Sequence, residues 1–239
     1  MEYVAHVAAV ERECGAIVEA LRGASRERQV PTCPDFALVD LVGHLGEFTA
    51  LWTHVLAEAA GADKPPFAPL GADDQMDTWY RPLADHLIDQ LHATTGDSPC
   101  WMWMPQHQTA GAVARRCANE LTIHRYDVEA TVGAGAPLDA AIAIDAIDEI
   151  FDMLPVWDNP PEGSGQSLAL HAEEGDRRRI TLGPEGPRMA ATSSPADLTL
   201  SGRASDLALV IFDRPPIGVV QRDGAATALD AWYREFQFG

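Results

Sequence analysis

Residues 119–127 read NELTIHRYD and place Glu120, His124 and Asp127 four and then three positions apart. On an α-helix each residue advances about 100°, so the three fall within a sector of roughly 60°. Leu121, Val128 and Val132 flank that sector. The polar stripe therefore borders the apolar face instead of opposing it. A wet helix face carries such a pattern without meaning; an inward stripe would surround something positive. His44, in DLVGHLGEF, has a similar address, with Leu41, Leu45, Phe48 and Leu51 on the same face, pointing to a bundle interior. A single histidine on an apolar face is ordinarily a hydrogen-bonded core residue. An inward Glu-x-x-x-His pair on another helix changes that reading, because bundles build metal sites from carboxylates and imidazoles on facing helices. Two histidines and one carboxylate leave coordination positions open, as a catalytic divalent centre requires. His44, Glu120 and His124 are thus the candidate ligands. Zinc is the first expectation, with iron or another first-row ion as the alternative. Asp127 has two candidate catalytic roles: orienting a ligand or bound water, or acting as a general base. Its plain alternative is a surface acid in the last helical turn, where the dipole slightly disfavours it and Arg125 offsets the cost.

These residues need helices to hold them. Apolar residues recur at helical spacing over 3–22, and more strongly over 35–60, where Leu38, Leu41, Leu45, Phe48, Trp52 and Val55 form one stripe. TCPD marks the expected start of that second helix, with Thr32 as N-cap, Pro34 in the first turn and Asp35 three residues on. A proline-rich loop, KPPFAPLG, follows at 64–71. Further helices are expected over about 73–94, 108–132 and 138–153, with GAGAP at 133–137 ending the fourth. LPVWDNPPEGSGQ at 154–166 then reads as a linker. Beyond it come strand-like runs SLALHA, RRITLG and ADLTLSG, a helix over about 203–213, a strand IGVVQ and a last helix over about 225–236. The expected architecture is a four-helix bundle domain over 1–154, a linker over 155–166 and a small α+β domain over 167–239.

Composition sets the context. The formal net charge is −19 over 239 residues, which should repel nucleic acid and anionic membrane surfaces. There is no basic-then-apolar start, and no apolar run long enough to span a bilayer. Cys14, Cys33, Cys100 and Cys117 form no CxxC pair and read as reduced thiols. The expectation is a cytoplasmic protein, a monomer or small homo-oligomer, that takes small molecules and binds neither nucleic acid nor membrane. His54, His86, His92 and His107 have no partner at ligand spacing, His171 sits in an expected strand, and Glu47, one turn from His44, reads as a solvated acid, with a further ligand as the alternative. CWMWMP at 100–105 reads as a hydrophobic lid over the bundle end or a pocket mouth, and DRRR at 176–179 as a hairpin turn. No G-x-G-x-x-G, P-loop, G-x-S-x-G or HExxH is present.

VPTCPDFALVDLVGHLGEF and RRCANELTIHRYDVEATVGAGAPLDAAIAIDAIDEI resemble the two signature segments of the mycothiol-dependent maleylpyruvate isomerase family. Its N-terminal domain belongs to the DinB-like metal-binding helical bundles. The similarity extends over most of the chain and is loosest in the last third. Phe36 stands where the family pattern has tryptophan, and Asp35 where it has glycine. The resemblance implies a metal held by His44, Glu120 and His124, with Asp127 beside it. It also implies a small α+β domain closing over the site and mycothiol as thiol cosubstrate. The implied reaction is addition of a thiolate to an electron-poor double bond, rotation and elimination. Addition without elimination would make a mycothiol S-transferase. A dicarboxylate substrate would call for cationic partners, for which Arg81 and Arg222 are the candidates. No residue is assigned to the thiol. Outside this reading stand a non-catalytic small-ligand-binding protein and a thiol-free metal hydrolase.

Overall fold

The structure, a computed structural model, describes residues 1–58, 67–133, 135–153, 163 and 165–235. Its elements run α1 (Tyr3–Ala20), α2 (Leu38–Glu58), α3 (Met76–Ala93), α4 (Ala110–Val132), α5 (Ala140–Met153), β1 (Ser167–Ala172), β2 (Arg177–Gly183), β3 (Gly186–Met189), β4 (Leu198–Gly202), α6 (Ala204–Ile211), β5 (Gln221–Gly224) and α7 (Thr227–Glu235). They form two compact units, Met1–Ala136 and Pro137–Gly239.

In the first unit α1 and α2 each pack against α3 and α4, which makes a four-helix bundle. α1 buries Val7, Val10, Cys14 and Ile17, spaced three or four apart, and Leu21 just past its end continues that stripe. α2 buries the predicted stripe from Leu38 to Val55. Its start differs from expectation. Thr32 and Pro34 lie in a turn before the helix, closed by bonds from Cys33 N–H to the Val30 carbonyl and from Phe36 N–H to the Cys33 carbonyl. The cap comes from inside the helix: Ala37 N–H donates to Asp40 Oδ2 at 2.9 Å. α4 starts conventionally, with Thr109 Oγ1 accepting from Ala112 N–H at 3.3 Å.

A buried ion pair sets the rotation of α4. Arg125 Nε donates to Glu13 Oε2 at 2.7 Å, from α4 to α1. Its Nη1 reaches Glu129 Oε2 at 2.7 Å and the Ala136 carbonyl at 2.8 Å. With Arg125 turned to α1, the adjacent His124 emerges about 100° away. That side faces α2.

The second unit holds a five-stranded sheet in the order β3-β2-β1-β4-β5. β1 and β4 are parallel; the other pairs are antiparallel. Alternation puts Leu168, Leu170, Ile180, Leu182, Leu198 and Leu200 on one buried face. Each contributes about 1.5–3 kcal/mol by burial, well above the ~0–1 kcal/mol of a half-exposed pair such as Arg178–Asp148. α6 is buried along its whole length and packs on α5, β1 and β4.

Three expectations are corrected. The expected bundle over 1–154 includes α5. Instead its buried face, with Ile142, Ala143, Ile147 and Ile150, packs on α6 in the second unit, and the division falls between Ala136 and Pro137. The strand expected at IGVVQ lies later, at Gln221–Gly224, where backbone pairing with β4 makes an edge strand whose four residues are exposed. β3 was not anticipated, because GPRM has no apolar alternation. Most of the expected linker, and residues 64–66 of the proline-rich loop, lie outside the described residues. DRRR does lie at the β1–β2 turn, with Arg177–Arg179 already in β2.

Candidate metal centre

α2 and α4 bring His44, Glu120 and His124 together, with ligand atoms all within 4.8 Å of one another. Among the described residues this is the one such group of three or more histidine, cysteine or acidic side chains. Glu120 Oε1 lies centrally, 3.1 Å from His44 Nε2 and 3.3 Å from His124 Nε2. The two imidazole rings meet edge to face, with centroids 5.0 Å apart. The side chains grade from open to closed: His44 is 41% exposed, Glu120 16%, His124 12% and Asp127 0%. His44 therefore stands at the rim, not in the bundle interior as the helix wheel suggested. The cluster opens to solvent on its side.

Asp127 Oδ2 accepts a hydrogen bond from His124 Nδ1 at 2.9 Å. That bond fixes a proton on Nδ1, so an ion that displaces the Nε2 proton meets the tautomer a metal ligand needs. Burial alone would lower the His124 pKa, but Asp127 and Glu120 outweigh it and raise it to about 9. Burial likewise pushes the Glu120 carboxyl up, yet Arg116, then His124 and His44, hold it well below the usual carboxylate range. The donor set fits a divalent ion: two imidazole nitrogens and an ionised carboxylate oxygen converge, with one nitrogen already oriented by a buried acid.

Arg116 was not singled out from the sequence, although it precedes Glu120 by one turn. It forms an ion pair with Glu120 Oε2 and lies over the Phe48 ring at 5.7 Å. Arg116, Glu120, His124 and Asp127 thus make one stripe of alternating charge along α4. The i, i+4 spacing was the available signal. Arg81 is exposed on α3, and Arg222 is exposed on β5 in the second unit. Glu47 is exposed on α2. Trp101 and Trp103 pack on Trp52, with ring centroids 6.2 and 4.8 Å away, while Met102 and Met104 are buried. CWMWMP thus packs against α2 through its tryptophans.

No helix among the described residues is long and apolar enough to cross a membrane. Cys14, Cys33, Cys100 and Cys117 are buried and form no disulfide among the described residues, and burial pushes the Cys14 thiol up to about 12. A thiol held that far above neutrality is a poor nucleophile.

Comparison with known proteins gives a family from the sequence and a similar fold from solved structures. The family model described as the mycothiol maleylpyruvate isomerase N-terminal domain matches residues 7–129, more than half of the chain. A crystal structure of the mycothiol-dependent maleylpyruvate isomerase has a similar fold, with a TM-score of 0.57 and 12% identity over 93% of each chain. A crystal structure of a mutant of that isomerase gives 0.52 and 12% over 88% of each chain. Comparison with curated proteins finds no match. The matched residues span α4 through Glu129 and include all three members of the cluster, so the chain belongs to the mycothiol maleylpyruvate isomerase family through its N-terminal domain.

Proposed function

We propose that this protein is a metal-dependent enzyme that uses mycothiol to attack an electron-poor double bond, as in the isomerisation of maleylpyruvate. The observation that carries the reading is the convergence of His44 Nε2, Glu120 Oε1 and His124 Nε2 in a family named for that thiol and that reaction. A divalent ion, with zinc as first expectation, would lower the pKa of a bound thiol and hold it as the nucleophilic thiolate. The chain's own residues do the rest. His44, Glu120 and His124 would hold the ion. Asp127 fixes the His124 tautomer and, fully buried, serves better as an orienting group than as a base that meets substrate. The open side at His44 admits the reactants.

The chemistry balances without an oxidant. The thiolate sulfur bonds to the alkene carbon, and the π pair moves onto the neighbouring carbonyl. The former double bond is now single and rotates. Return of the electron pair re-forms the alkene and expels the thiolate. A proton delivered to the carbon before expulsion would leave a stable thioether, which is the S-transferase outcome. That alternative has its own support. Arg81 and Arg222, the expected partners of a dicarboxylate, are surface residues, and the arginine at the cluster, Arg116, is paired with Glu120. A reducing, cytoplasmic setting belongs to this reading.

The test starts with metal content. Purified protein is expected to bind one divalent ion, and His44→Ala and His124→Ala to lose it. Metal-loaded protein is then incubated with mycothiol and a panel of cis alkenes conjugated to carbonyls. Recovery of the trans alkene supports the isomerase, and a stable adduct supports the transferase. Metal that binds equally to wild type and both variants would overturn the site. Turnover without thiol would favour a hydrolase.

A further inference from the structure

We propose that Arg116 is a positioning residue that holds Glu120 to one donor oxygen and sets the electron demand of the metal centre. The inference rests on the metal reading above. Glu120 has two oxygens with different fates. Oε2 is engaged by the Arg116 guanidinium one helical turn away, while Oε1 stands between the two imidazoles. A free carboxylate can bind a divalent ion through one or both oxygens. With Oε2 taken by a charge-assisted bond, Oε1 alone is left to donate.

Three features make this more than a surface pair. Arg116 is 13% exposed, about as covered as Glu120 at 16%. Its guanidinium carbon lies over the Phe48 ring, 5.7 Å from the centroid, so the head meets α2 while the stem is carried by α4. Phe48 is itself one turn beyond His44. The same two helices that supply the ligands therefore supply both sides of the clamp. Lysine would keep the charge but lose the planar fork. The positive charge also draws electron density from the ligand carboxylate. An ion held there accepts more density from whatever occupies its open positions. Arg116 would thus keep a coordination position free for reactants and raise the acidity of a thiol bound there.

The probe is Co2+ in place of the native ion, read by its visible absorption, which is stronger in four-coordinate than in higher-coordinate sites. Wild type is compared with Arg116→Met, which keeps apolar contact with Phe48 and removes the charge, and with Arg116→Lys. The methionine variant is expected to absorb severalfold more weakly, as Glu120 swings to bind through both oxygens, and the lysine variant to fall between. Should Arg116→Met not fold, as judged by circular dichroism, the lysine variant and Arg116→Gln carry the comparison. Spectra superimposable on wild type in the folded variants would overturn the role of Arg116 while leaving the metal reading intact. A wild-type protein that takes up no Co2+ would instead overturn the metal reading and this one with it.

Discussion

Asp127→Asn separates the two jobs that a buried acid performs on a histidine ligand. The substitution keeps shape and an oxygen that can accept from His124 Nδ1, but removes the charge. Losing such an orienting carboxylate costs typically 10–100-fold in metal affinity, or about 1.4–2.7 kcal/mol. A second effect has the opposite sign. His124 is raised to about 9, and an ion must displace its proton to bind. At pH 7 that competition weakens wild-type binding by ~100-fold relative to the fully deprotonated site. Asp127 is one cause of the raised value, so the asparagine variant gives up part of the competition. Wild-type affinity should therefore climb about tenfold per pH unit from near 7 and level off near 9. The variant should start closer to wild type, climb less and level off at a lower pH, so that the gap is widest in the alkaline range. Titration against a competing chelator at several pH values measures both curves. Parallel curves, or equal affinity above pH 9, would refute the assignment of Asp127 to His124.

The Glu13–Arg125 pair is nearly fully buried, and Glu13→Ala removes one of the two acids on that guanidinium while Glu129 keeps the other side. Urea unfolding should show a loss of ~1–3 kcal/mol, with Glu13→Gln losing less. On α2, a Cβ added to Gly46 would overlap the Trp79 ring of α3. Gly46→Ala should cost ~1–3 kcal/mol despite its better helix propensity and should shift tryptophan fluorescence. In the second unit Asp197 Oδ2 accepts from the Ser167 hydroxyl at 2.8 Å and the Ser167 N–H at 2.7 Å, and these bonds hold its carboxyl below the usual range. A lowered folded pKa stabilises above the unfolded value of about 3.9 and is lost as pH falls through the folded one. Asp197→Ala should therefore lower the melting temperature at neutral pH and converge with wild type in acid.

Helical periodicity made the first unit legible. The stripe on α2 and the four-then-three spacing on α4 both survive in the structure, because side-chain direction on a helix follows from position alone. Partners do not follow from position. α5 advertised an apolar face, but nothing in DAAIAIDAIDEIF states that the face meets α6, about sixty residues further along the chain. The role of Arg116 is hidden in the sequence for a related reason. A basic residue beside another in RRCANEL looks solvated until Phe48 of α2 is known to lie beneath it. The start of α2 was misjudged because TCPD satisfies a capping pattern locally, whereas the bonds through Val30, Cys33 and Phe36 close a separate turn. β5 was misplaced because Val219 looks like a strand residue, yet 81% of it is exposed and the pairing falls on Gln221–Gly224. Edge pairing there uses main-chain groups, which the side-chain pattern does not encode.

The placement of α5 bears on how this chain could be cut, fused or shuffled. A fragment ending after Met153 would carry the helix without the surface that covers Ile142, Ile147 and Ile150, and those side chains would recruit other copies or chaperones. A fragment ending at Ala136 keeps the Arg125–Ala136 and Glu129–Ala136 bonds that tie down its own last residues. The natural seam for recombination is therefore the Ala136–Pro137 bond, and a gene fusion that respects it could exchange the second unit without unpicking the helices that carry His44, Glu120 and His124.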